Sequence, residues 1–174
     1  NKGLDAMLDI SRAGLGYVKR GDDELRIGCC ATYRDLIRSE DVKKDFTALW
    51  DASVVLADMT IRNIATVGGN ICSAVPSGDS IPPMYAADAL LVIASKDGER
   101  TVKAEDFFTG PRNTVLAKGE LLKEFRIPLA GVRTASAFEK IARNSVDLAN
   151  ANVAVWLRCA DSCVVVEARI ALGA

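Results

Sequence analysis

Histidine is missing from all 174 residues. Its absence excludes an imidazole general base, a Ser-His-Asp triad and a His-ligated metal site within this chain. Long apolar runs are missing too: no stretch approaches the roughly 18 to 20 residues that span a bilayer. The N-terminal "NKGLDAMLDISRAG" lacks the charged-then-apolar order of a signal peptide. The chain therefore reads as cytoplasmic, with no membrane partner. Neither sign of charge is in excess, with 22 Lys and Arg against 23 Asp and Glu, so no nucleic-acid partner is expected. Cys29, Cys30, Cys72, Cys159 and Cys163 are odd in number and follow no framework spacing, which fits free thiols in a reducing compartment. Without a paired C-x-x-C set, no zinc or iron–sulfur site is expected, so any redox metal belongs to another chain. G-x-G-x-x-G and the Gly-Lys-Ser/Thr of a phosphate loop are also absent, which removes the Rossmann and Walker nucleotide folds.

What is present reads as alternating strands and helices without strict βαβ order, hence an α+β fold. "YVKRGDDELRIGCCATYRDLI" predicts strand, Gly-Asp-Asp turn, strand and then a helix capped by Thr32. "VKKDFTALWDASVVLAD" carries Phe46, Leu49, Trp50, Val54 and Leu56 at largely helical spacing and predicts one amphipathic helix. After Pro82 and Pro83, "MYAADALLVIASKDGERTV" predicts a short helix, a buried strand, a Lys-Asp-Gly turn and a second strand. "AEDFFTG" predicts a helical turn, while "GELLKEFRIP" and "TASAFEKIAR" predict strands. A hairpin turning near Ala160 to Ser162 closes the chain.

Between two of the apolar segments lies "TIRNIATVGGNICSAVPSGDSIPP", from Thr60 to Pro83. Gly68 and Gly69 carry no Cβ, so a ligand can approach the main chain, and consecutive exposed amides there would form a concavity suited to a pyrophosphate. Thr66, Asn70 and Ser73 bracket the pair with hydroxyl and amide groups. Asp79 would repel a phosphate, so its partner would be a ribose or ribityl hydroxyl. A plain tight turn followed by a solvated loop accounts for the same residues without a ligand.

The longer run "TIRNIATVGGNICSAVPSGDSIPPMYAADA" resembles the second flavin-binding motif in the FAD-binding medium subunits of the molybdenum hydroxylases, the family of xanthine dehydrogenase and carbon monoxide dehydrogenase. "LDISR", "LRIGCCATYRDL", "DFFTGPRNTVLAKGELLKEFRIP" and "AFEKIARNSVDLANANVAV" extend the resemblance in order along the chain. It implies the two-lobed α+β FAD-binding fold of the PCMH (vanillyl-alcohol-oxidase-like) type, here mainly its second lobe. Residues 1–174 would be that domain truncated at its N-terminal lobe, with 134–174 the start of a strand-rich C-terminal part. A truncated piece of this kind is expected to bind FAD weakly or not at all alone.

The resemblance further implies that Thr66, Gly68, Gly69 and Asn70 face the FAD pyrophosphate with Ser73 nearby. Asp79 would bond sugar or ribityl hydroxyls, and Leu122 would lie beside the flavin or adenine, although a core leucine reads equally well there. Lys140 and Arg143 match the neighbourhood of the isoalloxazine, with Asp147 in the same loop. No residue of this chain is assigned a catalytic role. The implied partners are a molybdopterin-containing large subunit and a 2Fe-2S small subunit, and the implied activity is electron transfer through FAD to NAD+ or another acceptor. Two alternatives stand beside it: a flavin-dependent oxidase of the same fold, and a noncatalytic module that has lost FAD.

Overall fold

The computed structural model describes residues 6–129, 131–161 and 163–174. Two hairpins start the main sheet. β1 (Val18–Arg20) and β2 (Glu24–Gly28) pair across the Gly-Asp-Asp turn; β3 (Leu90–Ser95) and β4 (Gly98–Lys103) pair across Lys96 and Asp97. β7 (Leu121–Pro128) joins them by pairing with β2 on one side and β3 on the other, giving the order β1-β2-β7-β3-β4, every pair antiparallel. A second sheet has β8 (Thr134–Ile141), β9 (Ala151–Cys159) and β10 (Val165–Gly173) in the order β10-β9-β8. The strand β5 (Phe108–Gly110) pairs with β6 (Asn113–Thr114) in a small ribbon. Antiparallel sheets with helices gathered between them make this an α+β fold, as expected. Ser162, part of the turn predicted at the end of the chain, lies outside the described residues, as do residues 1–5 of the N-terminal segment.

Helices fill the space between the sheets. Thr32 caps α1 (Tyr33–Arg38) with a full capping box: its hydroxyl accepts from Asp35 N while the Asp35 carboxylate accepts from Thr32 N. The single helix expected over "VKKDFTALWDASVVLAD" is two, α2 (Glu40–Asp45) and α3 (Thr47–Val55). Phe46 breaks it at φ −145, ψ 60, and this turns its ring into the core, where it is 2% exposed. An unforeseen helix, α4 (Met59–Ile64), starts at Asp58, whose carboxylate accepts from Ile61 N. The helix expected after the two prolines begins before them: α6 (Ile81–Ala86) holds Pro82 and Pro83 in its first turn, where a missing N–H costs no hydrogen bond. α5 (Val67–Ser73) lies between α4 and α6, and α7 (Ala104–Phe107) is the short turn expected before β5.

One hydrophobic core runs through both layers. Leu25, Ile27, Leu91 and Phe125 of the main sheet meet Tyr33, Leu49, Ile71 and Met84 of the helices and Phe138 and Ala154 of the second sheet. α3 packs on β8, and α6 packs on β9 and β10, so the inner face of the second sheet is set against the helices. Two side chains pin α3 to β8: Ser136 Oγ accepts from Ala48 N at 3.0 Å, and an Asp51 oxygen accepts from Phe138 N at 3.3 Å. Among the described residues no helix is long and apolar enough to cross a membrane.

Candidate functional site

The Gly68-Gly69 pair lies inside a helix and not in a turn. Thr66 is the N-cap of α5, and its hydroxyl accepts from Gly69 N at 3.1 Å. Val67 N donates to Ala31 O, Gly68 N to Cys29 O and Asn70 N to Thr66 O, all at 3.0 to 3.1 Å. The first four amides of α5 are therefore satisfied within the protein, which corrects the expectation of an exposed amide concavity. Gly68 is buried because α5 abuts the loop after β2: a Cβ on Gly68 would stand 2.5 Å from Cys29 O. Gly69 faces outward, with only the Thr66 hydroxyl, at 3.0 Å, near its absent Cβ.

Asp79 is 4% exposed and serves as a hub. One oxygen accepts from Lys140 Nζ at 2.8 Å, the other from Asn152 Nδ2 at 3.0 Å. Lys140 and Asn152 are direct partners in the β8–β9 register, so cross-strand geometry points both from the same face toward Asp79. The Lys140 side chain is 6% exposed, and its charge is balanced by Asp79. It is thus one half of a buried ion pair. Next to Asp79, Ser80 Oγ shares a hydrogen bond of 2.5 Å with Tyr33 OH. Burial, helped by the charge of Asp79, pushes the Tyr33 phenol well above its ordinary range, so it stays protonated.

Tyr33, Asp79 and Lys140 line a cleft of about 310 Å³. Asn70, Ser73, Asp79, Lys140 and Asp147 all reach it, so five of the positions singled out in the sequence converge there. Leu56, Ala57, Ile61, Val146 and Leu148 supply apolar walls. A second depression of about 740 Å³ continues from it, sharing Ala57, Lys140 and Val146. Five expected residues lie elsewhere, among them Gly68 and Gly69 within α5. Leu122, 1% exposed on β7, is a core residue opposite Ile93 and does not line the cleft. Thr66 is spent on capping, and Arg143 pairs with Asp147 at 2.8 Å with its side chain 82% exposed.

Three contributors carry no local signal in the sequence. Asn152 orients Asp79, and its role depends on strand register, which no local pattern displays. Arg112, at φ 61, lines the cleft because its own N–H donates to Ala74 O at 2.7 Å, tying the Gly110-Pro111 turn to the end of α5. Arg62 holds the wall: its Nη1 donates to the carbonyls of Val54, Leu56 and Ala57 at 2.8 to 3.0 Å. It thereby caps α3 and secures Ala57 at φ 44.

A group rich in hydroxyls fits this donor set. Asn70 Oδ1 is buried at the cleft without a hydrogen-bond partner among the described residues, an open acceptor for a hydroxyl or amine donor. Asp79 lines the cleft and uses two of its roughly four acceptor positions. An antiparallel α+β domain with a partly apolar cleft and an ion pair on its floor defines a cofactor- or ligand-binding class. Residues 1–130 match the family described as FAD binding domain in molybdopterin dehydrogenase, and the chain belongs to that family. It is 36% identical over 156 residues to the glyceraldehyde dehydrogenase medium chain of Sulfolobus acidocaldarius, covering 88% of this chain and 55% of that one. It is 35% identical over 160 residues to a putative xanthine dehydrogenase FAD-binding subunit of Escherichia coli, covering 91% and 54%. Its fold superposes on a chain of carbon monoxide dehydrogenase from Hydrogenophaga pseudoflava with TM-score 0.87 at 33% identity, over 91% of this chain and 55% of that chain. The chain thus spans about half the length of the relatives it matches.

Proposed function

We propose that the chain is part of the FAD-binding subunit of a molybdenum-containing hydroxylase or dehydrogenase, and that the cleft around Asp79 receives the polyhydroxylated part of FAD. The observation that carries this reading is the convergence, beside the glycine-bearing helix, of the Asp79–Lys140–Asn152 network and the unpaired Asn70 Oδ1. Bound there, FAD supplies the chemistry, accepting and passing on electrons. The chain's own part is to place and orient it. Asp79 and Asn70 accept from hydroxyls, Ser73 adds a hydroxyl at the mouth, and Leu56, Ile61 and Val146 exclude water from one side. Because Lys140 is balanced by Asp79, the floor of the cleft presents a dipole and not a net positive charge.

By analogy with the relatives, the whole protein would join a molybdopterin-containing large subunit and a 2Fe-2S small subunit, passing electrons from their clusters to NAD+ or another acceptor. Family membership supports this reading. The test is to purify the complete polypeptide from its native cells, identify the chains that copurify and record its visible spectrum. Two further subunits and a flavin band bleached by a molybdenum-site substrate are expected. A flavin-free protein without such partners would sink the proposal.

A further inference from the structure

Away from the cleft, the turn between β2 and α1 carries two consecutive thiols. Ala31 N donates to Gly28 O at 2.9 Å, placing Cys29 and Cys30 in the middle of the turn, and their sulfurs stand 3.8 Å apart. Cys29 is 5% exposed with its Cβ against Gly68, whereas Cys30 is half-buried and gives access from outside. Its sulfur also lies 3.8 Å from the Ile10 carbonyl oxygen.

The pair is poorly placed to be a disulfide. Consecutive Cα atoms are about 3.8 Å apart, under the roughly 4.4 Å at which disulfide geometry becomes comfortable. A shared soft centre is another matter. Bonded to both sulfurs at about 2.3 Å, the length of a zinc–thiolate bond, it would subtend about 110° across the observed 3.8 Å gap with no backbone movement. Soft thiolate pairs select thiophilic centres over hard cations. The described residues contain no group of three or more ligand side chains able to hold a metal, so the site is bidentate.

We propose that Cys29 and Cys30 form a chelating dithiol site for a thiophilic centre, of which trivalent arsenic is the representative probe. With phenylarsine oxide the step balances simply. Two As–S bonds form, the oxygen on arsenic leaves as water with both thiol protons, and no electron is transferred. Occupancy would also fix the turn against α5, because Cys29 and Gly68 are in contact.

The test titrates phenylarsine oxide into the chain carrying Cys159→Ser and Cys163→Ser, which removes the thiols of the distant hairpin. Native mass spectrometry is expected to show one adduct per chain that survives excess 2-mercaptoethanol and is released by a dithiol. Cys30→Ala and Cys29→Ala should each weaken binding at least 100-fold, since either leaves a single thiol in the turn, whereas Cys72→Ser, which removes the one remaining thiol outside it, should leave binding unchanged. Cys30 is half-buried, so Cys30→Ala keeps the fold and remains decisive even if Cys29→Ala does not. Wild-type binding in Cys30→Ala, or an adduct lost only when Cys159 and Cys163 are replaced, would overturn the proposal.

Discussion

A methyl group on Gly68 would stand 2.5 Å from Cys29 O, whereas one on Gly69 would meet only the Thr66 hydroxyl at 3.0 Å. The two adjacent glycines therefore answer differently to the same change. Gly68→Ala is expected to cost about 2 kcal/mol or more, because backbone must move to relieve the overlap. Gly69→Ala should be close to neutral, since the gain in helix propensity, about 1 kcal/mol, offsets a small shift of the Thr66 side chain. Urea unfolding of both variants decides it, and equal losses would contradict the packing described. The sequence flagged both glycines, but the demand on Gly68 comes from the backbone of another element. The same holds for Asp79, whose partners are 61 and 73 residues away in the chain. Its preference for donors was legible from its charge; the identity of those donors required the register of β8 and β9.

Short, locally determined elements were the most legible. The Thr32 cap and both hairpins of the main sheet lie where turn and capping chemistry put them. The break at Phe46 was hidden because its spacing suits a continuous helix, and only burial of the ring shows why the backbone leaves helical angles. α4 was hidden for another reason: it buries none of its residues and is held by Asp58 and Arg62. Arg62→Ala should therefore free three carbonyls at the end of α3 and destabilise the chain by about 2 kcal/mol, in the range for hydrogen bonds to a charged donor. Arg62→Lys should restore less than half of that, because its shorter stem does not carry the ammonium to the position of Nη1, the one nitrogen that binds all three carbonyls. Chemical denaturation of the two variants checks this; full rescue by lysine would show that charge alone suffices.

Over the whole molecule, several buried groups set how stability responds to pH. Burial, with a contribution from Cys30, pushes the Cys29 thiol from its ordinary 9.0 up to about 12, and burial pushes Cys72 to about 11. Burial and then the Glu124 carboxylate raise Tyr17 from 10.0 to about 12. Each folded value is raised, so the folded state holds its proton longer than the unfolded chain does. The stability this contributes is full below about pH 9 and is lost as pH climbs from 9 toward 12. On the acid side burial acts to raise Glu124, but hydrogen bonds from Tyr17 and Arg126 and the charge of Arg26 outweigh it and leave the carboxyl below its usual value. Its contribution is therefore present above the ordinary carboxylate value and lost as pH falls through the lowered one. Urea midpoints at pH 7, 8.5 and 10.5 should be similar at the first two and clearly lower at the third. A Cys29→Ala, Cys72→Ala chain should show a shallower alkaline decline, and an unchanged midpoint at pH 10.5 would contradict the burial of these groups.

The second sheet turns Val153, Val155, Ile170 and Leu172 away from the helices, and the last two are 66% and 82% exposed. Its inner face, by contrast, supplies Lys140 to the cleft and Asn152 to the Asp79 carboxylate, so the sheet takes part in the site as well as in the core. Asp79 is where helices and sheet meet, and the account stands on its role. The most direct measurement is the flavin-to-protein ratio, from visible absorbance, of the complete polypeptide with Asp79 intact and with Asp79→Asn. The asparagine keeps the volume of the side chain but removes the charge that anchors Lys140 and one strong acceptor for a hydroxyl. A ratio near one for the parent, and at least tenfold lower for Asp79→Asn with an unchanged far-UV circular dichroism spectrum, is the predicted result. Equal flavin content in the two proteins would contradict the placement of the cofactor in this cleft.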